Sequence, residues 1–191
     1  MTENLLDLAL MLRADQELPA LKYRTMLASR LGYLAVHIPH SAEHPIASES
    51  IDELVDAAGT MMVVLDEGTD SVGVVRRFDL DAVRRARAEL DSLEDARPLI
   101  VAVPISIGRT LNEAVARADR EPLFTGDAHP QNSGIFGTFE QAQQQVLDLA
   151  QAGAEVLLVT VPEEEDIADV LAQVKALVVG ATPALFHRSG A

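Results

Sequence analysis

Residues 137–162 read GTFEQAQQQVLDLAQAGAEVLLVTVP, and this stretch decides the class of fold. Thr138 is a good helix N-cap, and Gln141 three positions on completes a capping-box pattern. Ala142, Val146, Leu149 and Ala150 recur at helical spacing. Gly153 suits the left-handed residue that ends a helix. The near-continuous apolar run 156–161 then has the pattern of a strand buried on both faces of a parallel sheet. Helix, glycine stop and buried strand together make one unit of an α/β barrel or a doubly wound sheet.

The same unit recurs upstream as a weak internal repeat. LASRLGYLAVHIP at 27–39 and LVDAAGTMMVVLDEG at 54–68 each run from a helix end through a glycine into an apolar strand. Strands are expected at 5–12, 34–38, 61–65, 99–105 and 156–161, with 72–75 either a short extra strand or a buried loop. Pro104 weakens the end of its strand or places it at an edge. Pro19 fits a first helical turn. Ser50 with Glu53 and Thr110 with Glu113 give two more capping boxes, and Asp79 or Asp81 opens a helix. Residues 121–136 form a long irregular stretch, of the length that is functional or disordered in compact domains. The last helix is expected over 163–179. Strands alternating with helices imply a mostly parallel sheet covered by helices. The expected architecture is therefore one α/β domain over 1–180 with a C-terminal tail at 181–191. At 191 residues it is short for an eightfold barrel, so a truncated or rearranged TIM-barrel-like (β/α) fold is expected.

Composition narrows the function classes. A formal net charge of −15 argues against nucleic-acid or anionic-membrane binding, since phosphates are repelled across much of the surface. With no cysteine, thiol catalysis, disulfides and cysteine–metal sites are excluded. No apolar run approaches the roughly 20 residues that span a bilayer, and the acidic N-terminus lacks the pattern of a signal peptide. A cytoplasmic protein is expected. His37, His40 and His44 match no zinc spacing, and no metal site is expected.

The segments IFGTFEQAQQQVLDLAQAGAEVLLVTVP, RPLIVAVPISIGRTLNEAVARAD and, more loosely, LASRLGYLAVHIPHS carry a likeness to a known family. They resemble the Gly-Thr-x-Glu-Gln helix, the Ala-Gly-Ala turn and the GRT-x-x-EA helix of the bacterial luciferase-like monooxygenases, of which this chain would be a shortened member. That resemblance implies a flavin- or deazaflavin-dependent oxidoreductase acting on a small organic substrate, with FMN or F420 as cofactor. The alternative is a non-catalytic binding or partner protein that kept the barrel ends and lost the active centre.

In β/α folds, ligands sit beyond the C-terminal ends of the strands. The polar residues expected there include Arg13, His37, His40, Ser41, Ser106, Arg109 and Thr160. With the resemblance, His40 is the candidate proton donor or acceptor. Arg13 or Arg109 would meet the cofactor phosphate, with His37, Ser41 and Ser106 completing the cofactor site. An incomplete barrel exposes sheet edges that must be covered, so a homodimer is expected.

Overall fold

The computed structural model describes residues 6–13, 16–39, 46–66, 73–94, 96–119, 124, 134–162 and 166–179. The elements are β1 (Asp7–Met11), α1 (Leu18–Arg30), β2 (Ala35–Pro39), α2 (Ser48–Ala58), β3 (Met62–Asp66), β4 (Val74–Val75) and α3 (Leu80–Ser92). They continue with β5 (Ile100–Ile107), α4 (Leu111–Ala118), β6 (Ile135–Gly137), α5 (Phe139–Gln151), β7 (Val156–Thr160) and α6 (Ile167–Val179).

Local chemistry explains most of these boundaries. Thr138 and Gln141 form the full reciprocal capping box of α5. The repeated glycines Gly32, Gly59 and Gly153 all take positive φ at helix ends, where a side chain would be strained. Thr110 accepts the amide of Glu113, but Glu113 reaches the amide of Arg109 rather than that of Thr110. The box expected at Ser50 and Glu53 does not form. Helix α2 begins earlier, at Ser48, with Ala47 in the cap position and no side-chain cap bond. The segment IFG at 135–137, most of it in the stretch expected to be irregular, is the short strand β6.

Asp79 caps α3, its carboxylate accepting the amide of Ala82 at 2.9 Å. That bond, helped by nearby Arg77 and Arg85, holds the Asp79 carboxyl below its ordinary range. Asp79→Ala is expected to cost about 1 kcal/mol. Because the folded-state pKa is depressed, the charged cap contributes fully above the ordinary aspartate value of about 3.9 and fades as pH falls through the folded value. Urea melts of the two proteins are expected to differ more at pH 7 than at about pH 3.

All pairings in the seven-stranded sheet are parallel, along the path β3-β2-β1-β7-β5-β4, with β6 also on β5. The fold is thus α/β and TIM-barrel-like, but rearranged. In a sequential barrel β6 would separate β5 from β7. Here β7 pairs β5 directly, and β6 lies on the far side of β5. Ile100 donates to Gly73 before β4 and Gly108 donates to Gly137 of β6, and residues an even number apart on a strand point their N–H groups the same way. Pro104 faces that same side, after β4 has ended at Val75↔Val101 and before β6 begins at Ile105↔Ile135. Its missing N–H therefore removes no ladder bond, which is why β5 runs through it to Ile107.

Strand order dictates where the helices go. From β1 to β2, β2 to β3, β4 to β5 and β6 to β7 the chain moves across the sheet in one direction. From β5 to β6 it moves in the other. Right-handed crossovers then place α1, α2, α3 and α5 on one face and α4 on the opposite one. The packing agrees. Leu21, Leu54, Val83, Val146 and Leu171 share the main core with Leu8, Val36, Val101 and Leu157. Ala114 and Ala118 of α4 pack with Phe136 and Phe124 in a separate cluster. Tyr33 ties α6 to the sheet through its hydroxyl, which donates to the carbonyl of Leu171 at 2.9 Å.

The sheet must also curl. Flat, it would separate Asp66 from Val74 by about 30 Å, from five interstrand spacings and the offset along the strands. The eight residue steps between them reach at most about 28 Å. With the helices of the main core on the outside, as in a β/α barrel, the other face is the concave one.

Candidate functional site

The concave face is floored by a second, smaller apolar set. Ala9, Ala35, Val156 and Leu158 are buried there, with Met11, Val64, Ile100 and Ala102 partly buried beside them. Every member is a strand residue, and Ala9, Ala35 and Leu158 are at most 2% exposed. Alternation along β2 puts His37 on the same face as Ala35, and Arg13 follows Met11 on the same side of β1. The two are neighbours at the C-terminal rim, where Met11 is in register with His37 and Leu12 donates to its carbonyl. Thr160, partly buried, ends the adjacent β7 on the same face.

A second recess lies at the same end of the sheet, between β5 and β7. The helices that follow these neighbouring strands leave to opposite faces, α4 to one and α6 to the other. Such a switch point opens a crevice beyond the strand ends, where open α/β sheets bind their ligands. A cleft of about 410 Å³ lies there, lined by Gly108, Arg109, Glu113, Arg117, Phe139, Asp166, Asp169, Val170 and Gln173 among others. Gly108 is required by close approach. A Cβ at that position would lie 2.6 Å from the amide nitrogen of Ala114 and 2.8 Å from the carbonyl oxygen of Thr110. Arg117 donates to the carbonyl of Ile107, bracing α4 against the end of β5.

The structure divides the residues singled out in sequence. Arg13 and His37 come together on the floor's rim. Ser106 is 1% exposed, and its hydroxyl donates to the carbonyl of Ala114 at 3.0 Å, fastening α4 to β5. Arg109 sits in the switch-point crevice among Glu113, Asp166 and Asp169. Three carboxylates there outnumber the guanidinium groups of Arg109 and Arg117 and oppose a phosphate, and the Arg109 amide is already taken by Glu113. His40, Ser41 and the tail 181–191 lie outside the described residues. Sequence reasoning did not single out Asp166, Asp169 or Gln173. Acidic residues in a first helical turn suit the macrodipole anyway, so only the strand order shows that they face Arg109. Among the described residues no group of three or more metal-ligating side chains is found, and no helix is long and apolar enough to cross a membrane.

No protein-family model matches the chain, and no curated protein matches it either. Among solved structures, the chain is similar to apo-MsnO8, with a TM-score of 0.55 and 12% identity over 92% of this chain and 98% of that one. It also aligns with (S)-3-O-geranylgeranylglyceryl phosphate synthase from Thermoplasma acidophilum, at a TM-score of 0.43 and 14% identity over 92% of this chain and 93% of that one. Likeness at such identity shows the fold alone. The assignment to the luciferase-like monooxygenases is therefore withdrawn. The motifs behind it are the caps and turns of ordinary β/α units: Thr138 with Gln141 starts α5, Gly153 ends it, and Thr110 starts α4. The chain has a TIM-barrel-like α/β fold.

Proposed function

We propose that the protein is an oxidoreductase acting on a small organic molecule, with a flavin or deazaflavin ring seated on the concave floor. The observation that carries this reading is the floor itself. Ala9, Ala35 and Ala102 lie on three strands of one sheet, small apolar side chains of the kind a flat ring lies against, with apolar Leu158, Val64 and Met11 around them. Such a ring, once bound, supplies hydride or electron transfer. The chain's own residues bind and orient it. Arg13 at the rim meets the phosphate, and His37 holds or accepts a proton at the ring edge, a role suited to imidazole near neutral pH. Arg109 is left out of the phosphate site because of the carboxylates around it.

The test is titration of the full chain with FMN and with F420, followed by thermal shift and by quenching of cofactor fluorescence. The protein has no tryptophan to interfere. Saturable binding is expected, weakened about tenfold or more by Arg13→Ala and by His37→Ala. No binding up to about 1 mM, an affinity weaker than about 4 kcal/mol, overturns the reading. Binding without turnover on any reductant would instead favour a non-catalytic carrier. Light scattering of the same samples is expected to show a homodimer, as Met62 and Leu65 on β3 remain about half exposed; a monodisperse monomer at micromolar concentration contradicts that part.

A further inference from the structure

We infer that two copies of this chain join edge to edge through β3, antiparallel about a two-fold axis at Val64, so that two sheets become one. This specifies the contact of the homodimer proposed above, and it rests on the backbone edge of β3 rather than on the ring site.

The two ends of the sheet are treated differently. A free strand edge offers a row of N–H and C=O groups to any other strand, and proteins blunt such edges by shortening, charging or covering them. At one end β4 spans two residues and β6 three. Gly108 donates to Gly137, so the backbone groups of Phe136 point away from β5. The Gln145 side chain takes both of them, its oxygen accepting the Phe136 amide at 3.4 Å and its nitrogen donating to the Phe136 carbonyl at 2.8 Å. At the other end β3 spans five residues, and among the described residues it pairs with β2 alone. Residues 61–65, MMVVL, contain no charge, proline or glycine, and the terminal Asp66 is the strand's only charged residue. One edge is guarded and the other is left open.

The backbone sets the register and selects the partner. Met62 donates to Leu34 beside β2, so Val63 and Leu65 turn their N–H and C=O groups to the open side. A second β3 satisfies all of these when it runs antiparallel with Val63 of one copy opposite Leu65 of the other and Val64 opposite itself. That makes four bonds, in the self-complementary pattern a two-fold interface needs. A pairing centred on Val63 or Leu65 instead sets one of them opposite residue 61 or 67, outside the strand. Side chains agree with the edge. Met62 is 52% exposed and Leu65 44%. A stable pair takes roughly 800 Å² from each copy, more than one strand edge supplies, so α2, which crosses from β2 to β3, must take part. Glu53 of α2 is paired to Lys22 of α1. Val55, two residues on, is turned about 200° from Glu53 around the helix, away from α1 and toward the open side, and is 46% exposed. With a net charge of −15 two copies repel at a distance, so an uncharged seam is where they can meet.

The experiment is light scattering and analytical ultracentrifugation on the full chain at about 10 μM, with disulfide cross-linking as the geometric test. Wild type is expected to be a dimer, and a tighter one in about 0.5 M than in about 0.05 M NaCl, because salt screens the repulsion between copies. Leu65→Pro removes an outward N–H and no bond to β2, and Leu65→Lys sets a cation on the seam. Each is expected to weaken the dimer at least about tenfold with circular dichroism unchanged; if the proline variant unfolds, the lysine variant decides. Leu93→Lys, at an exposed site just past α3, is expected to remain a dimer. Val64→Cys, in a chain without cysteine, is expected to cross-link under mild oxidation, since the two copies of that position face each other across the axis. Met62→Cys is expected not to, its two copies lying about 14 Å apart. The inference is overturned by a monomeric wild type, by a dimer that survives both Leu65 changes, or by Met62→Cys cross-linking as readily as Val64→Cys. A monomer that still binds FMN sinks the pairing alone, and a dimer that binds no FMN sinks the ring site alone.

Discussion

Leu157→Ala lowers stability by about 3 to 4 kcal/mol, a large part of the margin of roughly 5–15 kcal/mol that holds a domain folded. Leu157 is fully buried in the middle of β7 and in register with Leu8 on one side and Val101 on the other. Its side chain faces the main core, where helices cover the sheet. Removing it deletes apolar contact and leaves a void that strands held on both flanks cannot close, so the upper part of the usual cost range applies. Urea melts check this, with a midpoint lower by about 1 to 2 M and an unchanged slope. Leu93→Ala is the control. That residue is 59% exposed, and its loss is expected to stay within about 0.5 kcal/mol. A Leu157 variant that loses under about 1 kcal/mol would show that β7 is not the central strand.

Gly134→Ala destabilises for the opposite reason, too much matter rather than too little. A Cβ there would lie 2.3 Å from the carbonyl oxygen of Pro104, 2.8 Å from its ring and 2.9 Å from Phe124. The closest of these atoms is backbone of β5, which cannot turn aside as a flexible side chain would. Either β6 leaves β5 or β5 bends at Pro104. The expected cost is about 2 to 3 kcal/mol, with faster amide exchange concentrated at 135–137 and in α4, which rests on Phe136. Gly32→Ala separates steric crowding from backbone strain. At Gly32 nothing lies within 4 Å but φ is +73°, and the Tyr33 amide reaching back to the carbonyl of Ala28 marks a left-handed helix stop, so only the left-handed penalty of about 1 kcal/mol applies. Equal losses at the two glycines would refute the close approach of β6 to β5.

What the sequence made legible is what short-range chemistry decides. Thr138, Gln141 and Gly153 mark out α5 because each acts within four residues of itself, and Asp79 and Thr110 do the same for α3 and α4. Ser50 misled because a capping pattern is also an acceptable helix interior, and α2 simply begins three residues earlier, with Ala47 in the cap position. Strand β6 escaped notice because three residues have too little pattern; it exists through its pairing with β5. The strand order was not legible at all. No local feature of 156–160 shows that it lies between residues near 10 and residues near 100. From that order follow the opposite face of α4, the tolerance of Pro104 and the crevice beside Arg109. Sequence reading gave Arg109 a phosphate because it saw a cation near a strand end. It did not see Asp166 and Asp169, more than 50 residues away along the chain and across the same recess.

The place of β7 also has a meaning in time. It is the last of the described strands to be synthesised, and among them it alone joins β1-β2-β3 to the half that contains β5. Leu10 pairs with Val159, a partner about 150 residues downstream. At ribosomal speeds of about 5–20 residues per second, the edges of β1 and β5 wait roughly ten seconds for the strand that closes both. Until then the nascent chain is two unjoined half-sheets, each offering an apolar edge that fits its own counterpart on a neighbouring chain. A ribosome that stalls before residue 156 therefore releases a product suited to pairing with other copies, and strand β7 turns two sticky halves into one sheet.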